Sequence, residues 1–235
     1  MTERLFEQDA YLADCEAVVV VADDGRLELD RTVFYPLGGG QPGDTGTLSW
    51  GDGESVAVID TRKGDGDAIV HVTEPGAPLP PPGTSVHAAV DWARRYRHMR
   101  MHTCLHLLCA VVDAPVTGGN LTADKGRLDF DLPESTVDKA SLTEALNALI
   151  ARDTATAAEW ISDAELDARP DLVKTLSVAP PRGAGRVRLL AIPGIDLQPC
   201  GGTHVARIGE IGRVRVTKIE KKSRMNRRIA VELED

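Results

Sequence analysis

The sequence has no long apolar run. Nothing in its 235 residues approaches the roughly 18 consecutive apolar positions that span a bilayer, and the longest stretch, around Leu105 to Val112, reads as a core helix segment. The N-terminus, MTERLFEQDA, lacks a basic region followed by an apolar one, so no secretory signal is expected. Cysteine is sparse. Four residues are too few to frame a disulfide scaffold, and their placement favours a reducing compartment and a metal, hence the cytoplasm. Lysine is scarce, 7 residues against 20 arginines, while aspartate reaches 22, a bias that points to a high-salt interior. What is present is ordinary for a globular protein: 42% hydrophobic and 27% charged residues exclude a wholly disordered chain. The length allows one large domain or two small ones, with enough chain to bury a core.

A net charge of −9 argues, taken globally, against nucleic acid. One segment reverses this. Between Arg207 and Arg228 lie nine basic residues, Arg207, Arg213, Arg215, Lys218, Lys221, Lys222, Arg224, Arg227 and Arg228, against Glu210 and Glu220. A second cluster is Arg94, Arg95, Arg97 and Arg100. An acidic body with a basic stripe fits an RNA-binding protein in salty solvent.

Residues 1–90 read as β structure: short runs such as Ala17–Ala22, Arg26–Leu29, Thr32–Phe34, Val56–Asp60 and Ala68–Val72 alternate with Gly/Asp turns. Such a pattern suggests a small barrel-like domain or a sandwich. Within it, the loop Leu37–Gly46 carries enough glycine for positive φ and for close approach to a ligand. Residues 74–83 are proline-rich and form a stiff loop or linker, with the domain boundary near it. Residues 91–235 read as an α+β domain, a mostly antiparallel sheet packed on helices. A helix is expected over Trp92–Val112, with capping boxes at Ser141–Glu144 and Ser162–Glu165 starting two more.

His102 and His106 sit four apart on the first helix, about 40° apart on the wheel, the spacing at which two imidazoles share one metal. His98 and His102 make an equally good pair, and the spacing alone does not choose between them. Cys104 and Cys109 read as small core residues. A second constellation is Cys200-Gly201-Gly202-Thr203-His204, a tight turn presenting a thiolate and an imidazole. Two pairs of ligands from distant segments have the make-up of a zinc site. A nucleophilic Cys200 with His204 as base is the competing reading.

The stretch His102-Thr103-Cys104-Leu105-His106, the Cys200–Val205 turn and the loop Gly39-Gly40-Gln41-Pro42-Gly43-Asp44-Thr45-Gly46 together resemble the AlaX-type alanyl-tRNA editing proteins, free-standing relatives of the editing domain of alanyl-tRNA synthetase. Asp124–Phe130, Gly209–Gly212 and Asn226–Ile229 extend the resemblance over nearly the whole chain. The glycine loop and the β domain match the longer, two-domain form. The resemblance implies zinc on His102, His106, Cys200 and His204, and favours His102/His106 over His98. It implies hydrolysis of the ester on tRNA for alanine wrongly charged with serine or glycine.

Sparing alanine while removing serine calls for a group that hydrogen-bonds the serine hydroxyl. Thr117, in Val116–Asn120, has the matching place in the family, with Thr103 as the second candidate. Gln41 and Asp44 on the glycine loop are expected to reach the same pocket, and Asp196 and Gln198 to support the zinc histidines. No membrane and no obligate protein partner is expected. Two other function classes compete: a zinc-stabilised RNA-binding module without hydrolase activity, and a metal-dependent esterase on small substrates.

Overall fold

The computed structural model describes residues 2–132, 138–175 and 185–234. The chain divides into two compact units between Tyr96 and Arg97.

The first unit opens with β1 (Glu3–Arg4), α1 (Leu5–Gln8), β2 (Asp14–Asp23), β3 (Arg26–Leu29) and β4 (Arg31–Thr32). It continues through β5 (Gly46–Trp50), β6 (Glu54–Val58), β7 (Asp60–Lys63), β8 (Ile69–Val72) and β9 (Ser85–Val90). Strands β1 and β4 pair in parallel, and the other seven form one sheet in the order β6-β5-β9-β2-β3-β8-β7. Strand β2 turns a corner: Asp14–Val18 pairs with β9, and Val19–Asp23 pairs with β3 across a register shift. A flat sheet of this size would separate its edges by about 29 Å, at about 4.8 Å per strand. The edge strands β6 and β7 are parted by Ile59 alone, so the sheet has to curl until its edges meet there. No ladder joins β6 to β7 among the described residues, so the expected barrel-like domain is not a closed barrel. One bent stretch of chain serves both edges instead. Leu27, Leu29, Phe34, Leu48, Val58, Val86 and Ala88 fill the interior.

The proline-rich stretch, residues 74–83, carries no strand or helix. It joins β8 to β9 inside this unit, and the Gly83 N–H donates to the Val19 carbonyl at 2.8 Å. Two glycines of the Gly39–Gly46 loop serve packing: a Cβ on Gly43 or Gly46 would collide with the Thr61 or Ala89 carbonyl.

Helix α2 (Trp92–Val112) has the expected bounds. Asp91 caps it, its carboxylate accepting from the Arg94 N–H at 3.1 Å, and Asp113 ends it at φ 48° ahead of Pro115. Between Met99 and Cys109 it is buried nearly all round, so any polar group there requires a partner.

The second unit continues with β10 (Val116–Leu121), β11 (Lys125–Asp131), α3 (Lys139–Ile150), β12 (Ala157–Ser162), α4 (Asp163–Asp167), β13 (Arg186–Ile192), β14 (Asp196–Pro199), β15 (Val214–Lys221) and β16 (Asn226–Leu233). One antiparallel sheet runs β10-β11-β16-β15 and another β12-β13-β14. Gly126 of β11 lies against α2: a Cβ there would stand 2.8 Å from the Met101 sulfur. Ser162 and Glu165 form the expected capping box. The box expected at Ser141 is not there. Helix α3 starts three residues earlier, where Asp138 accepts from the Ala140 and Ser141 N–H groups. Thr143 instead turns to the edge of β15, accepting from the Val216 N–H, and Asn147 bonds both backbone groups of Val214. A helix side chain thus satisfies an edge that a lone sequence reading assigns to a cap. No helix among the described residues is long and apolar enough to cross a membrane.

Candidate metal centre

His102 and His106 project from consecutive turns of α2, with ring centroids 5.4 Å apart. The Cys200–His204 turn follows β14, whose ladder to β13 continues one step beyond the strand: the Cys200 N–H donates to the Arg188 carbonyl at 3.0 Å. That register delivers the turn to the helix. Cys200 Sγ lies 3.1 Å from His204 Nε2 and 3.6 Å from His102 Nε2, and the His102 and His204 rings are 4.4 Å apart. One donor atom from each of His102, His106, Cys200 and His204 falls within a common span of 4.8 Å, and His98 is not part of the group. Tetrahedral bonds of about 2.0–2.3 Å set ligand atoms about 3.3–3.8 Å apart, so the four can hold one metal ion.

Burial is near complete for the three imidazoles, and each described contact orients a ring. Asp196 Oδ2 stands 2.9 Å from His106 Nδ1 and fixes the proton there, which leaves Nε2 for the cluster. Asp196 is itself held by Lys174 Nζ at 2.9 Å and Gln198 Nε2 at 2.7 Å. Thr103 orients His204. Its hydroxyl donates to the Met99 carbonyl at 2.8 Å, and its oxygen accepts from the Val205 N–H at 3.3 Å and from His204 Nδ1 at 3.2 Å. One donor and two acceptor positions are then filled, so the Thr103 hydroxyl has nothing left for a substrate.

Electrostatics favour a thiolate at Cys200 and a neutral ring at His204, the donor states a metal requires of them. Burial pushes the Cys200 thiol up, but the imidazoles of His102, His204 and His106 outweigh it and hold the thiol well below its usual range. Burial drives His204 down to about 3, so its ring is neutral. His106 is opposed by burial, yet Cys200 and then Asp196 raise it to about 9. Burial alone raises Cys104 to about 12, consistent with a core thiol, and burial with Asp196 beside it does the same for Cys109. A thiolate ringed by three imidazoles is a ligand set; a nucleophile with one base needs only His204.

Thr117, Gln41 and Asp44, also expected from the sequence, have contacts of their own. Thr117, half-buried on β10, donates to the Asp129 carbonyl at 3.1 Å and accepts from Asn226 Nδ2 at 2.6 Å. Gln41 is buried in the first unit, at a turn closed by backbone bonds between Gly38 and Gln41. Asp44 is buried there too: its carboxylate binds the guanidinium of Arg95 and accepts from the Tyr35 N–H at 2.6 Å. Arg95, fully buried, also donates to the Val33 carbonyl at 2.6 Å. The pair ties the glycine loop to the first turn of α2.

Sequence reasoning missed Lys174 and Arg188. Arg188 Nη1 donates to the carbonyls of Cys200 and Gly202, at 3.2 and 2.8 Å, and so clamps the metal turn. Arg188 is 12 residues from Cys200, and no local pattern marks it. The basic stripe also looks different in the fold. Arg213, Arg215, Lys218, Lys222 and Arg228 pair with carboxylates of their own sheet, Arg207 pairs with Asp153, and Arg227 is buried. Lys221 and Arg224 are exposed and carry no ion pair among the described residues.

Two family models match the chain: the threonyl and alanyl tRNA synthetase second additional domain over residues 187–230, and the class II (A) tRNA synthetases over residues 8–94. The alanyl-tRNA editing protein AlaX-M of Methanosarcina acetivorans is 38% identical over 245 residues, covering all of both chains. That of Methanosarcina mazei is 36% identical, over all of this chain and 98% of the relative. That of Saccharolobus solfataricus is 33% identical over 97% of this chain and 98% of the relative.

Proposed function

The chain belongs to the family of alanyl-tRNA editing proteins, and from that membership we propose that it is a hydrolase removing serine, and also glycine, wrongly esterified to tRNA for alanine, with zinc held by His102, His106, Cys200 and His204. The observation that carries the reading is the convergence of four ligand atoms within 4.8 Å in a chain that aligns end to end with such proteins. A substrate made during translation implies work in the cytoplasm.

Thiolate and imidazole donors in tetrahedral reach suit zinc best among divalent ions. Zinc held by these four residues would supply Lewis acidity for a carbonyl oxygen, at a coordination position opened beyond the four protein ligands. The chain's own part is orientation. Asp196 and Thr103 hold the Nδ1 protons of His106 and His204, and Arg188 holds the carbonyls of the turn on which Cys200 and His204 sit. The Gly202 N–H points at Cys200 Sγ at 3.5 Å and favours the thiolate.

Specificity for serine is assigned to Thr117. Its oxygen has one lone pair left after bonding Asn226, and Asn226 Oδ1 beside it is buried and accepts nothing from the described residues. A serine hydroxyl donating to either gains a bond that alanine lacks, whereas the Thr103 oxygen is already full. Gln41 and Asp44 are assigned to the support of the glycine loop.

The test is ester loss from serine-charged tRNA for alanine, with and without chelator, on the wild-type chain and on His102→Ala and Cys200→Ser. Hydrolysis that is lost with the metal and restored by zinc supports the reading. A chain that binds tRNA and zinc but leaves the ester intact is the RNA-binding module instead. Full zinc in His102→Ala, or loss of zinc in His98→Ala, removes the ligand assignment.

A further inference from the structure

Trp160 is 41% exposed and lies on β12, an edge strand. Residues directly opposite in an antiparallel pair share a face. Trp160 opposes Arg188 on β13, and Arg188 in turn opposes Cys200 through the N–H to carbonyl bond that extends the β13–β14 ladder. Trp160, Arg188 and Cys200 therefore form one row across the sheet. The row places Trp160 two strand spacings, about 10 Å, from the metal turn. The opposite face of the same sheet, with Ile161, Val187, Leu189 and Leu197, is packed into a core. The face of Trp160 is the one that carries Gln198, which opposes Leu190 and bonds the carboxylate behind His106. Arg186 lies over the indole, its guanidinium carbon 4.3 Å from the ring centroid, and no carboxylate pairs with it among the described residues.

We propose that Trp160 and Arg186 are the platform on which the 3′-terminal adenine of the tRNA stacks while its ester reaches the metal turn. The inference rests on the editing reading above. An aminoacyl ester sits on the ribose of an unpaired terminal nucleotide, and proteins hold unpaired bases by stacking them on aromatic rings and guanidinium planes. A row two strands wide suits one nucleoside spanning from base to ester. The charge of Arg186 is then beside the phosphate that joins this nucleotide to the next. Arg188, between platform and turn, keeps the two in register.

The test uses uncharged tRNA ending in CCA and the same tRNA lacking its terminal A, titrated onto the wild-type chain, Trp160→Ala and Trp160→Phe. Trp160→Ala should weaken binding of the complete tRNA by about tenfold or more and leave the shortened tRNA unaffected; Trp160→Phe should retain most of the affinity. On serine-charged tRNA, Trp160→Ala should raise KM with kcat nearly unchanged. Equal loss on both tRNAs, no loss on either, or a Trp160→Ala protein that no longer holds its zinc overturns the platform. If binding depends on the terminal A through Trp160 while the wild-type chain hydrolyses nothing, the platform stands and the hydrolase reading falls.

Discussion

Thr103 and His204 lie 101 residues apart in the chain and 3.2 Å apart in the fold, hydroxyl oxygen against Nδ1. Because the hydroxyl proton goes to the Met99 carbonyl, the shared hydrogen between the two is the imidazole's. Nε2 is then the lone pair, and it faces Cys200 at 3.1 Å.

Thr103→Val keeps the shape and removes that acceptor. Metal affinity should fall about 10- to 100-fold, as for other partners behind a ligand, and Thr103→Ser should restore it. Competition against a chelator of known zinc affinity reads the change. Full affinity in the valine variant would assign the tautomer to another group.

Thr117→Val removes the hydroxyl assigned to serine. The lost bond is worth about 1–3 kcal/mol, or about 5- to 150-fold in rate. The loss should fall on serine-charged tRNA and leave glycine-charged tRNA nearly unchanged, because glycine has no hydroxyl. Alanine-charged tRNA should be cleaved as fast or faster. Equal slowing of the serine and glycine substrates would make Thr117 a support for β10 instead.

Lys221→Glu with Arg224→Glu should weaken tRNA binding and flatten its dependence on salt. The same charge change at Arg213 and Arg215, which pair with Glu232 and Glu234, should matter less. Binding is measured at several salt concentrations. If both double variants behave alike, net charge rather than these two side chains governs the encounter, and the contact moves to Arg94, Arg97 and Arg100.

His71 makes the stability of the first unit depend on pH. It is fully buried, with Nδ1 on the Leu27 carbonyl at 3.2 Å and Nε2 on the Thr32 hydroxyl at 2.8 Å. Burial lowers its pKa from 6.5 to about 4. Between those values the unfolded chain binds the proton and the folded one does not, so stability is full above the unfolded pKa and is lost as pH falls towards the folded one. At pH 5 the loss is about 2 kcal/mol. Denaturant unfolding at pH 7 and pH 5 should show it, and in His71→Gln the difference between the two pH values should shrink by that amount. An unchanged difference would exclude His71 as the group responsible.

Much of the site was legible in the sequence because its geometry is local. The spacing of His102 and His106 follows from the helix period, and Cys200 and His204 stand only four residues apart in one short turn. The helix from Trp92 to Val112 was equally readable, bounded by Asp91 and Pro115 and free of breakers. Strands β10, β12 and β14 were not legible. Their short segments, which include Val116-Thr117-Gly118-Gly119 and Asp196-Leu197-Gln198-Pro199, carry little strand propensity of their own and become strands by pairing with β11 and β13.

The sequence by itself determined which residue types can bind the metal and how each pair is spaced. Only the tertiary structure decided that the two pairs meet, that Asp196, Thr103 and Arg188 orient them, and that most of the basic stripe is neutralised. The reason is register. Whether Arg228 meets Asp129, Arg215 meets Glu232 or Trp160 lines up with Arg188 depends on which strands pair and in what alignment. A one-residue slip would turn every one of those side chains to the other face. That alignment is set by the buried apolar faces of strands far apart in the chain, which no local spacing encodes.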